Sequence, residues 1–154
     1  KTPPEQTIRE SAQLAASCSS AWRETLGAVD VYWVRPEQVS KSPPSGQYLA
    51  KGAFIITGAR NHVKNVPLRL AIGVLLRENE GKVIGGPVEA VAKQTKVFAE
   101  IVPGQQKSSV LARQLRQLWA KRVSTEWRKR ILEIPLEEIQ RFIPSGKGTV
   151  IFKS

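Results

Sequence analysis

The stretch that decides the fold is Leu68-Arg69-Leu70-Ala71-Ile72-Gly73-Val74-Leu75-Leu76. Apolar side chains recur at Leu68, Leu70, Ile72, Val74 and Leu76, the two-residue period of a long β-strand with at least one well-buried face. Residues 70–76 are also the longest uninterrupted apolar run, strand-sized and well short of the roughly 18 residues a membrane-spanning helix needs. No signal-peptide pattern is present either, so a membrane partner is not expected.

Upstream of this strand the chain opens with a helical pattern. Pro3 and Pro4 supply a start signal, and Ile8, Ala12, Ala15, Trp22 and Leu26 follow at helical spacings. Gly27 stands where a left-handed cap is wanted, and Cys18 reads as a small buried residue on a close-packing face rich in Ala and Ser. Val29-Asp30-Val31-Tyr32-Trp33-Val34 and residues 53–57 read as short strands, separated by a polar loop whose turn is Pro43-Pro44-Ser45-Gly46.

Downstream, Glu78-Asn79-Glu80-Gly81 is a turn, and residues 82–84 form a stub of strand. A short helix runs through Val88, Val91 and Ala92, and a strand over 96–102 is closed by Pro103-Gly104. Residues 108–122 form a helix with Ser108 or Ser109 as cap and Val110, Leu111, Leu115, Leu118 and Trp119 as its apolar stripe. A strand over 131–134 follows. Pro135 at a first helical position then opens a helix over 136–142, with Glu137 and Glu138 at its positive end, and Thr149-Val150-Ile151-Phe152 is a last strand. Strands and helices do not alternate regularly. The expected class is therefore α+β: a mixed, largely antiparallel sheet with packed helices in a single compact unit.

Composition narrows the chemistry. The chain has 154 residues and a net charge of +11 from 24 Lys and Arg against 13 Asp and Glu, which makes a polyanion the natural partner. One Cys rules out a disulfide framework or a multi-cysteine zinc site, and one His, His62, rules out sites built on two or three histidines, so no metal or other cofactor is expected. A Ser/His/Asp triad would have to use His62 and Asp30, and no Gly-x-Ser-x-Gly elbow presents a serine. Ser145-Gly146-Lys147-Gly148-Thr149 lacks both the leading Gly and the metal-binding hydroxyl of a phosphate loop. No catalytic residue is expected. The chain contains no Met, and a start at Lys1 is expected of a piece of a longer protein.

Two basic clusters stand out. Arg35, Lys41, Lys51, Arg60, Lys64 and Arg69 sit against a single acid, Glu37, beside Trp33 and Tyr48. Cations that hold phosphates beside aromatic faces that stack on bases are the usual components of an RNA-binding surface. The second cluster includes Arg113, Arg116, Arg128, Lys129 and Arg130, with Arg113 and Arg116 expected to point away from the apolar stripe of their helix. Trp119 and Trp127 read as core or cover residues.

Ala21-Trp22, Tyr32-Trp33-Val34, Gln38-Val39-Ser40-Lys41, Pro44-Ser45-Gly46-Gln47-Tyr48-Leu49, Gly52-Ala53-Phe54 and Gly58-Ala59-Arg60-Asn61 occur in order at tight spacing. This string resembles the NFACT family of ribosome quality-control factors, also called fibronectin-binding-like proteins. It looks like the later half of their RNA-binding domain in its archaeal and eukaryotic form. Gly85-Gly86-Pro87, Val102-Pro103-Gly104 and Ile143-Pro144-Ser145-Gly146 resemble the C-terminal extension of archaeal members. The resemblance implies a division into 1–84, the C-terminal part of the RNA-binding domain, and 85–154, an archaeal-type α+β extension packed on it. The N-terminal domains of such a protein would lie upstream.

The resemblance further implies a cytoplasmic binder, not an enzyme. It would contact tRNA or ribosomal RNA on a large ribosomal subunit carrying a stalled chain, and support C-terminal tailing of that chain. By motif it points to Gln38, Ser40, Lys41, Tyr48, Arg60 and Asn61 as the RNA-binding residues, with Lys64 as a neighbouring cation. Lys41, Arg60 and Lys64 would neutralise phosphates, and the second cluster would add an electrostatic surface. The competing expectation is a protein-interaction module that docks a ribosomal or quality-control protein.

Overall fold

A computed structural model describes residues 2–42 and 48–151. The elements run in the order α1 (Glu5–Ser17), α2 (Ser20–Arg23), β1 (Ala28–Trp33), β2 (Val39–Ser40), β3 (Ile55–Ile56), β4 (Asn61–Pro67), β5 (Leu70–Arg77), β6 (Glu80–Gly86), α3 (Val88–Gln94), β7 (Phe98–Lys107), α4 (Ser108–Arg122), α5 (Thr125–Leu132), α6 (Leu136–Gln140) and β8 (Lys147–Ile151). A four-stranded sheet has the order β6-β5-β7-β8, and β1 pairs with β4 and β2 with β3 in two smaller sheets. The α+β class is as expected. Among the described residues the strand pairings are all antiparallel, so the sheets are not mixed.

The decisive stretch forms β5, and where at least one well-buried face was expected, both are buried. Leu70 through Val74 are buried on both sides. Leu70, Ile72 and Val74 join the main core with Trp22, Leu111, Leu115, Trp119, Ile131, Ile139 and Val150. On the opposite face Ala71 packs with Val88 and Val91 of α3. Gly73 is required between them: a Cβ there would stand 2.7 Å from the Val97 carbonyl oxygen and 2.8 Å from the Phe98 Cβ.

The opening helix is two helices. It stops at Cys18, and Ser19 caps α2 by accepting the Ala21 N–H at 3.3 Å. Cys18 is exposed at this joint and is not a packing residue. The small face falls on Ala12, Ala16 and Ser17 instead. Ser17 Oγ accepts the Arg69 N–H at 3.1 Å and donates to the Arg69 carbonyl at 3.2 Å, which clamps α1 to the corner between β4 and β5.

Gly27 is not the left-handed residue after α2; Thr25 is, at φ 61°. The Thr25 N–H donates to the Trp22 carbonyl and the Leu26 N–H to the Ala21 carbonyl, each at 3.1 Å, the paired bonds of a Schellman end. A β-branched residue in this conformation is strained by about 1–2 kcal/mol. Thr25→Gly is therefore expected to raise stability by about 0.5–1 kcal/mol after losing the Gln105 Nε2 to Thr25 Oγ1 hydrogen bond (3.2 Å). Thermal unfolding should then shift upward by roughly 1–4 °C, and a lower midpoint would contradict the assignment.

Several boundaries differ from expectation for identifiable reasons. Strand β4 was hidden because its apolar residues, Val63 and Val66, are three apart. Lys64 and Asn65 together oppose Asp30 in a bulge, with Asn65 at φ 55° and its N–H held by Asp30 Oδ1 at 2.9 Å. The strand expected over 53–57 contracts to Ile55–Ile56, while the stub at 82–84 lengthens to β6.

Pro103-Gly104 does not close β7. These residues and Gln105 bulge between the Val102–Thr149 and Gln106–Gly148 pairings. Neither Ser108 nor Ser109 caps α4, whose N-cap is Lys107, and Val110 is exposed rather than in the stripe. Residues 131–134 are not a strand. Trp127, Ile131 and Ile134 recur at helical spacing, and Ile131 is buried at the end of α5. Pro135 is the N-cap of α6 and not its first residue. The Pro43-Pro44-Ser45-Gly46 turn and Phe152 lie outside the described residues.

Candidate nucleic-acid interface

The β1–β4 pair presents two different faces. Val29, Val31 and Val63 pack inward against the core, where α1 crosses the pair. Alternation then places Asp30 and Tyr32 outward. Tyr32 lies directly opposite His62, and Trp33 opposite Asn61. The Tyr32 and His62 rings meet edge to face at 6.1 Å and 61°, and the Arg60 guanidinium lies 5.2 Å from the Tyr32 ring centroid.

A second part of the surface is built on a 3-10 turn, Pro36–Gln38. The Gln38 amide is its strut. Its Oε1 accepts the Arg35 N–H at 2.9 Å, and its Nε2 donates to the carbonyls of Thr57 and Ala59, each at 2.8 Å. Gly58, at φ 78°, leaves room for this amide. Gln38 thus spends its hydrogen-bonding capacity on tying the turn to the segment that leads into β4. Ser40, paired with Ile55, accepts the Ser42 N–H at 3.0 Å and so shapes the turn at Lys41. Lys41 Nζ lies 5.6 Å from the centroid of the Phe54 ring.

The predicted residues thereby separate into roles. Gln38 and Ser40 hold backbone. Asn61 Nδ2 donates to the Trp33 carbonyl at 3.3 Å and stabilises the ladder end. Lys41, Arg60 and Lys64 are exposed, and among the described residues no carboxylate lies within ion-pair distance of them. Tyr48 is 90% exposed. Lys64 sits in the bulge beside Asn65 and borders a cleft of about 260 Å³ shared with Arg9, Glu10 and Glu89.

Two cations therefore each cover an aromatic ring, Lys41 on Phe54 and Arg60 on Tyr32, a contact that contributes about 0.5–1 kcal/mol at exposed sites. Tyr32, Phe54 and His62 were missed as site residues. For Tyr32 the signal was available: it is the large aromatic at the outward position of an alternating strand.

The second basic cluster is less free than its sequence implied. Arg116 donates to the Ile134 carbonyl at 2.9 Å, which joins α4 to the start of α6, so it does not simply point into solvent. Arg128 Nε donates to the Ala120 carbonyl at 3.2 Å near the end of α4, where a cation also meets the negative end of the helix dipole. Arg130 lies 5.5 Å from the Trp127 ring centroid. Arg113 and Lys129 are exposed. Trp119 is fully buried, as expected of a core residue. Among the described residues no cluster of His, Cys, Asp or Glu could hold a metal ion, and no helix is long and apolar enough to cross a membrane.

Fold and surface together define a class: an antiparallel α+β module carrying unpaired cations interleaved with exposed aromatic rings. Comparison with known proteins makes this more particular. Residues 1–58 match the NFACT protein RNA binding domain family. The chain is 31% identical over 153 residues to the archaeal Rqc2 homolog aRqcH of Methanocaldococcus jannaschii, covering 99% of this chain and 21% of that protein. It is 36% identical over 74 residues to the ribosome quality control complex subunit NEMF homolog of Drosophila melanogaster, covering 48% of this chain and 7% of that protein. Ribosome quality control complex subunit 2 of Schizosaccharomyces pombe is 31% identical over 77 residues, covering 50% of this chain and 7% of that protein. These findings support the NFACT family. The chain spans about a fifth of the length of the archaeal relative and less of the others. The family match contains Gln38, Ser40, Lys41, Tyr48, Tyr32 and Phe54, whereas Arg60, Asn61, His62 and Lys64 follow it in sequence.

Proposed function

We propose that this chain is the RNA-binding part of an NFACT-type ribosome quality-control factor. It binds tRNA on a large ribosomal subunit obstructed by a stalled chain, and supports the tailing of that chain in the cytoplasm. The observation that carries this reading is the pairing of exposed cations with exposed aromatic rings, at Lys41–Phe54 and Arg60–Tyr32, across a segment that largely coincides with the RNA-binding family match. Cations without acidic partners are available to phosphates, and aromatic faces to bases or sugars. Gln38, Ser40 and Asn61 act by holding the backbone from which these groups project. Arg113 and Lys129 add a distant electrostatic contribution. The chain is a binder and leaves catalysis to the ribosome.

The test is sedimentation of the full-length parent protein in cell extract. Co-migration with free large subunits is expected. Retention at the top of the gradient, or co-migration with small subunits, would refute the ribosomal part of the proposal.

A further inference from the structure

We infer that the corner formed by Tyr32, Arg60 and His62 is a site for an unpaired nucleobase. The inference rests on the RNA-binding reading and goes further, to a specific residue set and to the single-stranded state of the ligand. Tyr32 and His62 are directly opposed across the β1–β4 ladder, and their rings meet at 6.1 Å. Such a cross-strand pair could serve only the sheet. Its placement argues otherwise. The core lies on the other face, under Val29, Val31 and Val63, and this ring pair is not among the side chains packed against it.

Tyr32 is 43% exposed, and His62 and Arg60 are exposed beside it. The acid on the same outward face, Asp30, is engaged by the Asn65 N–H at 2.9 Å and leaves Arg60 without a carboxylate partner. A base arriving here stacks on the tyrosine ring or on the guanidinium that covers it, and either contact leaves the ladder hydrogen bonds intact. The imidazole at the ring edge offers a polar group to the rim of that base. Duplex RNA cannot use the site, because its stacked bases are not accessible to a ring standing on a strand surface.

The test compares two fluorescent probes on the full chain: single-stranded oligouridylate of about 12 nucleotides, a length such stacking surfaces cover, and a blunt RNA duplex of the same length. Tyr32→Val keeps a β-branched residue in the strand and removes the ring. It is expected to weaken oligouridylate binding by about 5- to 150-fold, the range for losing one base–aromatic stack. Duplex affinity and the salt dependence of both probes should be unchanged, since no phosphate contact is removed. Tyr32→Phe should bind as the parent does, and His62→Ala should lose affinity for the single strand only.

If the parent binds both probes and Tyr32→Val, with intact duplex binding, holds oligouridylate as tightly as the parent, the base site is overturned while RNA binding stands. Equal losses for both probes would also overturn it, since the ring would then act on the surface as a whole. Failure of the parent to bind either probe would overturn the RNA-binding reading itself.

Discussion

Replacing Trp22 with alanine is expected to lower the free energy of unfolding by about 3–5 kcal/mol, the usual cost of emptying a buried aromatic site. Trp22 is fully buried, although it belongs to a helix of one turn. Its Nε1 donates to the Lys147 carbonyl at 2.8 Å, so the residue joins the N-terminal helices to the last strand of the central sheet. Its ring also lies close to Gly148, where an added Cβ would stand 3.5 Å from Trp22 Cζ2. Alanine would leave a cavity and take the indole donor away from the Lys147 carbonyl. Domains of this size have roughly 5–15 kcal/mol of stability, so the variant should be substantially unfolded at modest urea. Cys18→Ser, a few residues away at the exposed joint, should change stability by no more than about 0.5 kcal/mol. A destabilisation below about 1 kcal/mol for Trp22→Ala would mean that the N-terminal helices are not integral to the core.

Reversing charge at Lys41 and Arg60 together (Lys41→Glu, Arg60→Glu) is expected to weaken tRNA binding by roughly 10- to 100-fold, as two charge-assisted interactions are replaced by repulsion. With two phosphate interactions removed, the slope of log affinity against log salt should also fall by about two. Both side chains are exposed, and their described partners are the Phe54 and Tyr32 rings, so folding should be nearly unaffected. Unchanged tRNA affinity in this variant would move the interface to the surface around Arg113 and Lys129.

Legibility in the sequence depends on the kind of signal each segment holds. The strand at Leu70 and the helix over 108–122 were legible because their buried apolar residues keep one period each, Leu70, Ile72 and Val74 in the strand and Leu111, Leu115 and Trp119 in the helix. Strand β4 was not, because the bulge at Lys64–Asn65 converts a two-residue period into a three-residue one. The expected strand over 131–134 overlaps only the last two residues of α5, Ile131 and Leu132, whose helical phase shows only with Trp127, four residues before Ile131. Thr25 took the left-handed position expected of Gly27 because the capping bonds formed two residues earlier, and no local preference announces that choice.

At the candidate site the basic residues were visible in the sequence, but what holds them was not. Gln38 reaches residues 19 and 21 positions away, and Arg60 meets Tyr32 only once the ladder register is set. Arg116 and Arg128 counted equally with the free cations in the sequence. Only the packed helices show that carbonyls of Ile134 and Ala120 hold them.

The proposed function turns on exposed cations of this fold binding RNA through its phosphates. The decisive experiment is a filter-binding titration of the chain with tRNA over a range of salt concentrations. With about six phosphates contacted, log affinity should fall against log salt with a slope of roughly −4 to −5. No binding, or binding indifferent to salt, would contradict it.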